Sequence, residues 1–169
     1  YLGSRFNDSI YLKYIKKNNV KYSKSKKLYE ETAKILSKGK IVGWFQGAAE
    51  FGPRALGNRS ILCKPYPSKM KDYLNKRVKF REMFRPFAPA VLIEETKKYF
   101  EINQKSPHML IACKVNKKVK NKIPAVVHVD ETCRVQTVSN DTNPHFYNLI
   151  RSFKNITGIP VLLNTSFNV

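Results

Sequence analysis

The chemistry of the chain is densest between residues 43 and 62, which read GWFQGAAEFGPRALGNRSIL. Arg54, Arg59, Glu50 and Gln46 stand there among Gly47, Gly52, Gly57 and Pro53, with apolar residues leading in at 41–45 and out at 61–62. A segment kept only for packing needs neither so many backbone-permissive residues nor so many charged ones. The three glycines permit tight turns and close approach of a ligand to the backbone, because they lack a Cβ. Pro53 suits the first turn of a short helix, with Arg54 directly after it. An arginine there can bind an anion alongside the free amides of the helix start. This is the pattern of an oxyanion or phosphate site. A Gly/Pro-rich surface turn with an incidental arginine fits the local chemistry equally well.

Three further groups carry polar chemistry. Lys79, Arg81 and Arg85 lie within seven residues among Phe80, Phe84 and Phe87. A helix end followed by a segment restrained by Pro86 and Pro89 would aim some of these cations at one pocket; a basic amphipathic face is the plain alternative. His128 and Asp130 would share a face if 125–129 is a strand. That pair can bind a metal or relay a proton, but no third ligand stands nearby, and a hydrogen-bonded turn is the better reading. Arg134 and Gln136 would then share a face of the next strand, either toward a ligand or simply exposed. Asn164, Thr165, Ser166 and Asn168 follow a short apolar run, where amide and hydroxyl groups suit phosphate or carbonyl oxygens. They are also ordinary turn residues.

The elements that must position these groups alternate between helix and strand. Helical spacing marks 26–38, with Gly39 as a stop, and 68–78 through Met70, Tyr73, Leu74 and Val78. Asn143 reads as an N-cap with Pro144 in the first turn, opening a helix to Thr157 that turns Phe146, Leu149, Ile150 and Phe153 inward and stops at Gly158. A short helix is expected at 94–100. Strands are expected at 41–45 (buried), 87–93 (at an edge or entering from a turn, given Pro89), 109–115, 125–129, 134–138 and 161–163. The lysine-rich 116–122 reads as a solvated hairpin loop or disordered turn. The fold class is α/β (α+β): one domain over 1–169 with a mixed sheet and flanking helices.

Bulk composition narrows the setting. At 169 residues the chain can bury a real core, and 42% hydrophobic content excludes a disordered polymer. No apolar run approaches the roughly 20 residues of a membrane span, and residues 1–3 do not resemble the start of a secretion signal. Cys63, Cys113 and Cys133 are scattered, which argues against a disulfide framework or zinc site and for the cytoplasm. The net charge of +20 comes mostly from lysines: residues 1–40 hold eleven Lys/Arg against three acids, and 71–122 hold fourteen against five. Those lysines reflect either a compositional habit or a basic face for RNA or another polyanion. No aromatic RNA-binding motif or zinc-finger spacing supports the second reading. The eight arginines are placed differently, six of them in the groups above or the basic block beside them. Arginine is the better residue for forked oxyanion contacts.

Taken in order, GWFQGAAEFGPRALGNRSIL, RVKFREMFRPFAPAVL, PAVVHVDETCRVQTV, NPHFYNLI and TGIPVLLNTSFNV resemble the carboxy-terminal part of the NodU/CmcH carbamoyltransferases. The resemblance covers nearly the whole chain, and its motifs are specific in order and spacing. It implies a YrdC-like fold, similar to the enzyme that makes threonylcarbamoyl adenylate. It also implies an amino-terminal partner domain, similar to metal-binding proteins of the actin/sugar-kinase fold, that would hold iron; no metal site is expected in 1–169. The implied reaction cleaves carbamoyl phosphate, lets the carbamate attack the α-phosphate of ATP, supplied with magnesium, and releases pyrophosphate. The carbamoyl adenylate so formed then serves an acceptor hydroxyl in the partner domain. By motif position the implied substrate and ATP residues are Arg54, Lys79, Arg134, Asn164 and Ser166. Arg54 and Arg134 would be forked phosphate ligands, and Lys79 a point charge at a phosphoryl or carbamoyl oxygen. Arg85 and Arg59 are second-rank candidates, and Glu50 would orient a motif arginine. No residue stands out as a covalent nucleophile.

The chain departs from the family pattern in three places. Ala48 stands where members often carry an arginine. Glu131 and Cys133 stand where glycine and alanine are common, and Glu131 adds a negative charge unless it points outward. The final motif stops at Val169, so the domain is expected to be incomplete there. Two other function classes remain beside the transferase: a basic YrdC-like RNA or nucleotide-binding module without turnover, and an inactive fragment.

Overall fold

The computed structural model describes residues 1–167; Asn168 and Val169 of the last motif lie outside the described residues. Helix α1 (Asp8–Lys17) begins at Asn7, whose side chain accepts from Ile10 N, and buries nothing. Helix α2 (Leu28–Ser37) turns Thr32, Ala33 and Leu36 inward, while Leu28 and Ile35 stay exposed. It stops at Gly39, whose φ of +83° suits a residue without a Cβ. Helix α3 (Lys69–Arg77) buries Met70 and Leu74. A 3-10 turn at Ile93–Glu95 leads into the single turn of α4 (Thr96–Tyr99). Helix α5 (Pro144–Thr157) has the expected ends: the Asn143 side chain accepts from Phe146 N, and Gly158 closes it in the left-handed region.

Strands β1 (Val42–Phe45), β2 (Arg59–Cys63), β3 (Ala88–Leu92), β6 (Gln136–Val138) and β7 (Val161–Ser166) form one mixed sheet in the order β1-β2-β7-β3-β6. Its neighbours run antiparallel except β3 and β6, which are parallel. Strands β4 (Ala112–Lys114) and β5 (Thr132–Arg134) make a separate antiparallel pair. Successive strand residues face opposite sides of a sheet, and the core divides accordingly. Ile61, Cys63, Val91, Val161 and Leu163 pack toward α3, α4 and the small sheet. Leu62, Ala90, Leu92 and Leu162 pack under α2 and α5, where Phe146, Leu149, Ile150 and Phe153 are fully buried. Each such side chain is worth about 1.5–3 kcal/mol on burial.

Several expected strands are redrawn. β1 is an edge strand, with Trp44 buried but Gly43 and Phe45 exposed. β3 is interior despite Pro89: its ladder with β6 starts only at Ala90, so the missing N–H leaves no gap there. Residues 125–129 are not a strand. Pro124–Val126 is a 3-10 turn whose Ala125 and Val126 fill the core, and a short apolar run does not distinguish the two. The segment 134–138 is broken at Val135, which separates β5 from β6 and places them in different sheets. The strand expected at 109–115 shrinks to β4, and 116–122 is an ordered turn with Val119 buried. All three cysteines are buried free thiols, and no helix among the described residues is long and apolar enough to cross a membrane.

Gly57 shows how tightly the loop before β2 meets α5. Its φ is +100°, and a Cβ added there would lie 2.2 Å from Phe146 Cδ1. Gly57→Ala is expected to cost about 2–4 kcal/mol through backbone strain and overpacking, read as a lower urea midpoint at unchanged slope.

Candidate functional site

The loop 47–58 is shaped by its own charged residues. Glu50 Oε1 accepts from the backbone amides of Leu56 (2.9 Å), Asn58 (2.7 Å) and Arg59 (3.1 Å). It therefore organises backbone, and the expected pairing with a motif arginine is replaced by amide contacts. Arg59 also turns to the backbone, donating to the carbonyls of Gln46, Gly47 and Asn58 and lying over the Phe45 ring at 3.4 Å. Those contacts make it a latch on the loop, and it does not line the cavity described below. Gln46 Nε2 donates to Asn58 Oδ1 and Asn143 Oδ1, and Asn58 Nδ2 donates to the Ala48 carbonyl.

With that frame set, the loop presents Arg54 to a cavity of about 90 Å³ that Arg134, Asn164 and Ser166 also line. They come from three separate segments: Arg54 from the loop, Arg134 from the end of β5, and Asn164 and Ser166 from the last residues of β7. Arg81, which the sequence reading did not rank as a site residue, lines the same space. No carboxylate lines it among the described residues. Asn164 Nδ2 donates to the Ala55 carbonyl (3.0 Å) and Gln136 Oε1 (2.9 Å), while Gln136 Nε2 donates to the Leu56 carbonyl (2.8 Å). These bonds tie the loop to two strands and settle the orientation of the Asn164 amide, whose Oδ1 is left on the other side. Asn164 Oδ1 and Arg134 Nε are buried and have no hydrogen-bond partner among the described residues, an arrangement that costs free energy unless a ligand or water fills it.

Lys79 is buried beside this cavity, its Nζ 3.0 Å from the Ser166 carbonyl and 3.5 Å from Ser166 Oγ. Burial, then the charges of Arg81 and Arg85, hold its ammonium below the ordinary lysine value. Burial and the nearby Arg54 lower Arg134 in the same way. These shifts come first from burial and second from the positive charges gathered nearby. Arg85 contributes to that field from an exposed position, 3.7 Å from Glu82, and does not line the cavity.

The remaining polar group is structural. His128 N donates to the Thr132 carbonyl, and Asp130 Oδ1 accepts from Thr132 N and Oγ1, closing a tight turn. Among the described residues no three His, Cys, Asp or Glu side chains gather there or elsewhere as a metal site. Glu131 points to Lys120, in a salt bridge, and does not line the arginine cavity. Its φ of +63° explains why glycine is comfortable at this position. Cys133 is fully buried opposite Cys113 on β4, so a small side chain there reflects packing. Ala48 lies outside the cavity lining.

Over residues 33–169 the chain matches the family described as Carbamoyltransferase C-terminus. It belongs to that family. This carbamoyltransferase C-terminal chain is 45% identical over 148 residues to Nodulation protein NolO of Bradyrhizobium diazoefficiens, covering 86% of this chain and 27% of NolO. It is 43% identical over 133 residues to 3'-hydroxymethylcephem-O-carbamoyltransferase of Streptomyces clavuligerus, covering 79% and 25%. An uncharacterized Synechocystis protein is 42% identical over 193 residues, covering 100% of this chain and 31% of its own. The chain thus spans about a third or less of the length of these curated relatives. A crystal structure of full-length HypF, in a phosphate- and nucleotide-bound form, superposes on 87% of this chain and 18% of HypF at a TM-score of 0.55 and 19% identity. The YrdC-like fold expected from the motifs is the fold found.

In this carbamoyltransferase C-terminal fold, Glu50→Ala should strand three backbone amides. A loss of about 1–3 kcal/mol is expected, measured by urea denaturation, and the thermal transition should broaden if the loop loosens first.

Proposed function

We propose that the chain is the part of an O-carbamoyltransferase that activates carbamate: it binds carbamoyl phosphate and ATP and forms carbamoyl adenylate. The observation that carries this reading is that three arginines line one small cavity, and that two of its lining residues, Arg134 and Asn164, each carry a buried, unpartnered polar atom. Both substrates are polyanions, and phosphoryl transfer needs positioning and charge stabilisation more than covalent chemistry by the protein. Ligand pockets for whole small molecules run to about 300–1,000 Å³. A cavity of about 90 Å³ suits one phosphoryl or carbamoyl group, with the rest of the substrate outside its mouth. The names of the cephem carbamoyltransferase and of the phosphate- and nucleotide-bound HypF structure point the same way.

In the proposed sequence, carbamoyl phosphate is hydrolysed to carbamate and phosphate. A carbamate oxygen then bonds to the α-phosphorus of ATP as the bond to pyrophosphate breaks. Arg54 and Arg134 fork onto phosphoryl oxygens, Asn164 and Ser166 hydrogen-bond the carbamoyl or phosphoryl group, and Lys79 supplies a charge beside Ser166. Magnesium enters on ATP as part of the substrate; among the described residues no carboxylate lines the cavity. Carbamate is short-lived in water, so enclosure also protects it. The acceptor hydroxyl, and any iron, belong to a partner domain of the longer protein.

The direct test is pyrophosphate release from ATP by the purified chain. Release should require carbamoyl phosphate, and Arg54→Ala or Lys79→Ala should lower it by about two orders of magnitude or more at an unchanged fold. Unaffected release in those variants removes the site assignment. The net charge of +20 favours a second reading, in which the chain binds RNA or nucleotides without turnover. Salt-sensitive RNA binding that survives both substitutions, with no pyrophosphate release, would select it. Binding to neither ATP nor RNA would mark an inactive fragment.

A pH dependence follows from Lys79. A bound oxyanion favours the charged ammonium, so affinity should be complete below the depressed pKa and fall as pH rises through it. The loss should begin at lower pH than for an ordinary lysine near about 10.4. Lys79→Arg should flatten the alkaline limb when pyrophosphate binding is titrated against pH.

A further inference from the structure

We propose that Arg81 is a third oxyanion-binding guanidinium of the cavity and that Asn75 is the residue that positions it. This rests on the anion-site reading above and extends it to two residues with no assigned role.

Asn75 lies in the last turn of α3 and is fully buried. Its Oδ1 accepts from Arg81 Nε at 2.7 Å, and its backbone carbonyl accepts from Arg81 N at 3.1 Å. Its Nδ2 donates to the carbonyls of Met83 (3.2 Å) and Arg85 (3.0 Å). One side-chain amide therefore holds three points of the loop 81–85. Arg81 is fixed from two more sides: Nη2 donates to the Pro86 carbonyl at 3.3 Å, and the guanidinium lies 4.6 Å from the centre of the Phe87 ring. That leaves Nη1 without a hydrogen bond among the described residues, on a residue that lines the cavity with Arg54 and Arg134.

The loop needs such an anchor. Phe80 sits at a φ of +45°, a strained value for an aromatic residue. Burial, then the nearby Arg85, hold the Arg81 guanidinium below its ordinary value, with Glu82 opposing. Lys79, Arg81 and Arg85 thus repel one another, and unanchored cations would swing apart into solvent. Asn75 holds Arg81 inward against that repulsion. A phosphoryl group exposes three oxygens, and guanidiniums approaching from the loop, from β5 and from the segment after α3 can each take one. The ligand class is a multiply charged tetrahedral oxyanion; a singly charged carboxylate would leave one guanidinium unmatched.

The test is calorimetric titration of sodium pyrophosphate into the chain and into Arg81→Ala, Arg81→Lys, Asn75→Asp and the Asn75→Asp/Arg81→Ala pair, with a urea midpoint for each. The chain should bind pyrophosphate. Arg81→Ala should weaken binding at least about tenfold, and Arg81→Lys should restore only part, because lysine keeps the charge but not the fork. Asn75→Asp keeps the acceptor for Arg81 and loses both amide donors, so it should weaken binding by a comparable factor. In the Arg81→Ala background the Asn75 change should have almost no further effect on affinity, which a merely structural residue would not show. Failure of the unaltered chain to bind pyrophosphate would overturn the anion-site reading itself. Binding by the unaltered chain together with undiminished binding by Arg81→Ala would overturn this inference alone. Full recovery by Arg81→Lys would remove the forked contact, and additive effects in the double variant would remove the positioning role of Asn75.

Discussion

A single carboxylate oxygen shapes the loop from which the site is built. Glu50 Oε1 takes three backbone amides that would otherwise face the interior unpaired, and so sets the path from Leu56 to Arg59. Charge-assisted bonds of this kind are about twice as strong as neutral ones. Around this centre the amides of Gln46, Asn58 and Asn143 close a buried network. Asn143 also caps α5, so the helix start and the loop are held by the same side chain. These groups fix the loop that carries Arg54, and none of them lines the arginine cavity.

The sequence was most legible where a backbone rule has one solution. Asn143, Pro144 and Gly158 mark both ends of α5, and the apolar spacing between them picks the four residues that become fully buried. It was least legible in short apolar runs. Residues 125–129 and 134–138 have strand-like composition, yet one is a turn and the other is divided between two sheets. Which sheet a three-residue strand joins depends on distant partners that no local pattern records. Likewise Pro89 suggests an edge only if the ladder on both sides covers it, and here one ladder starts a residue later.

The arginines show the same limit in the site. Arg54, Arg134, Asn164 and Ser166 line one cavity, and Lys79 lies beside it against Ser166. Arg59 and Glu50 sit in the same motif but are spent on backbone, and side-chain type alone does not separate a ligand from a cap. Arg81 stood out only as one of three cations in a basic block, with no role to separate it from Lys79 and Arg85. The usable clue was its place between an aromatic with a left-handed backbone and the proline-restrained Pro86–Phe87 step, but only the fold shows that conformation. The net charge of +20 is thus a poor guide to the site, where a few partly buried cations matter more than the many solvated ones.

The break at Val135 has a mechanical consequence. Arg134 belongs to the two-stranded sheet, whereas Asn164 and Ser166 belong to the five-stranded one. Within a sheet, hydrogen-bond ladders fix spacing stiffly. Between these two sheets the cavity width is set by side-chain packing at Val135, Cys133 and their apolar neighbours. The pocket is therefore walled by two ladders that share no ladder bond, so a small shift of the lesser sheet would change its aperture without breaking either one.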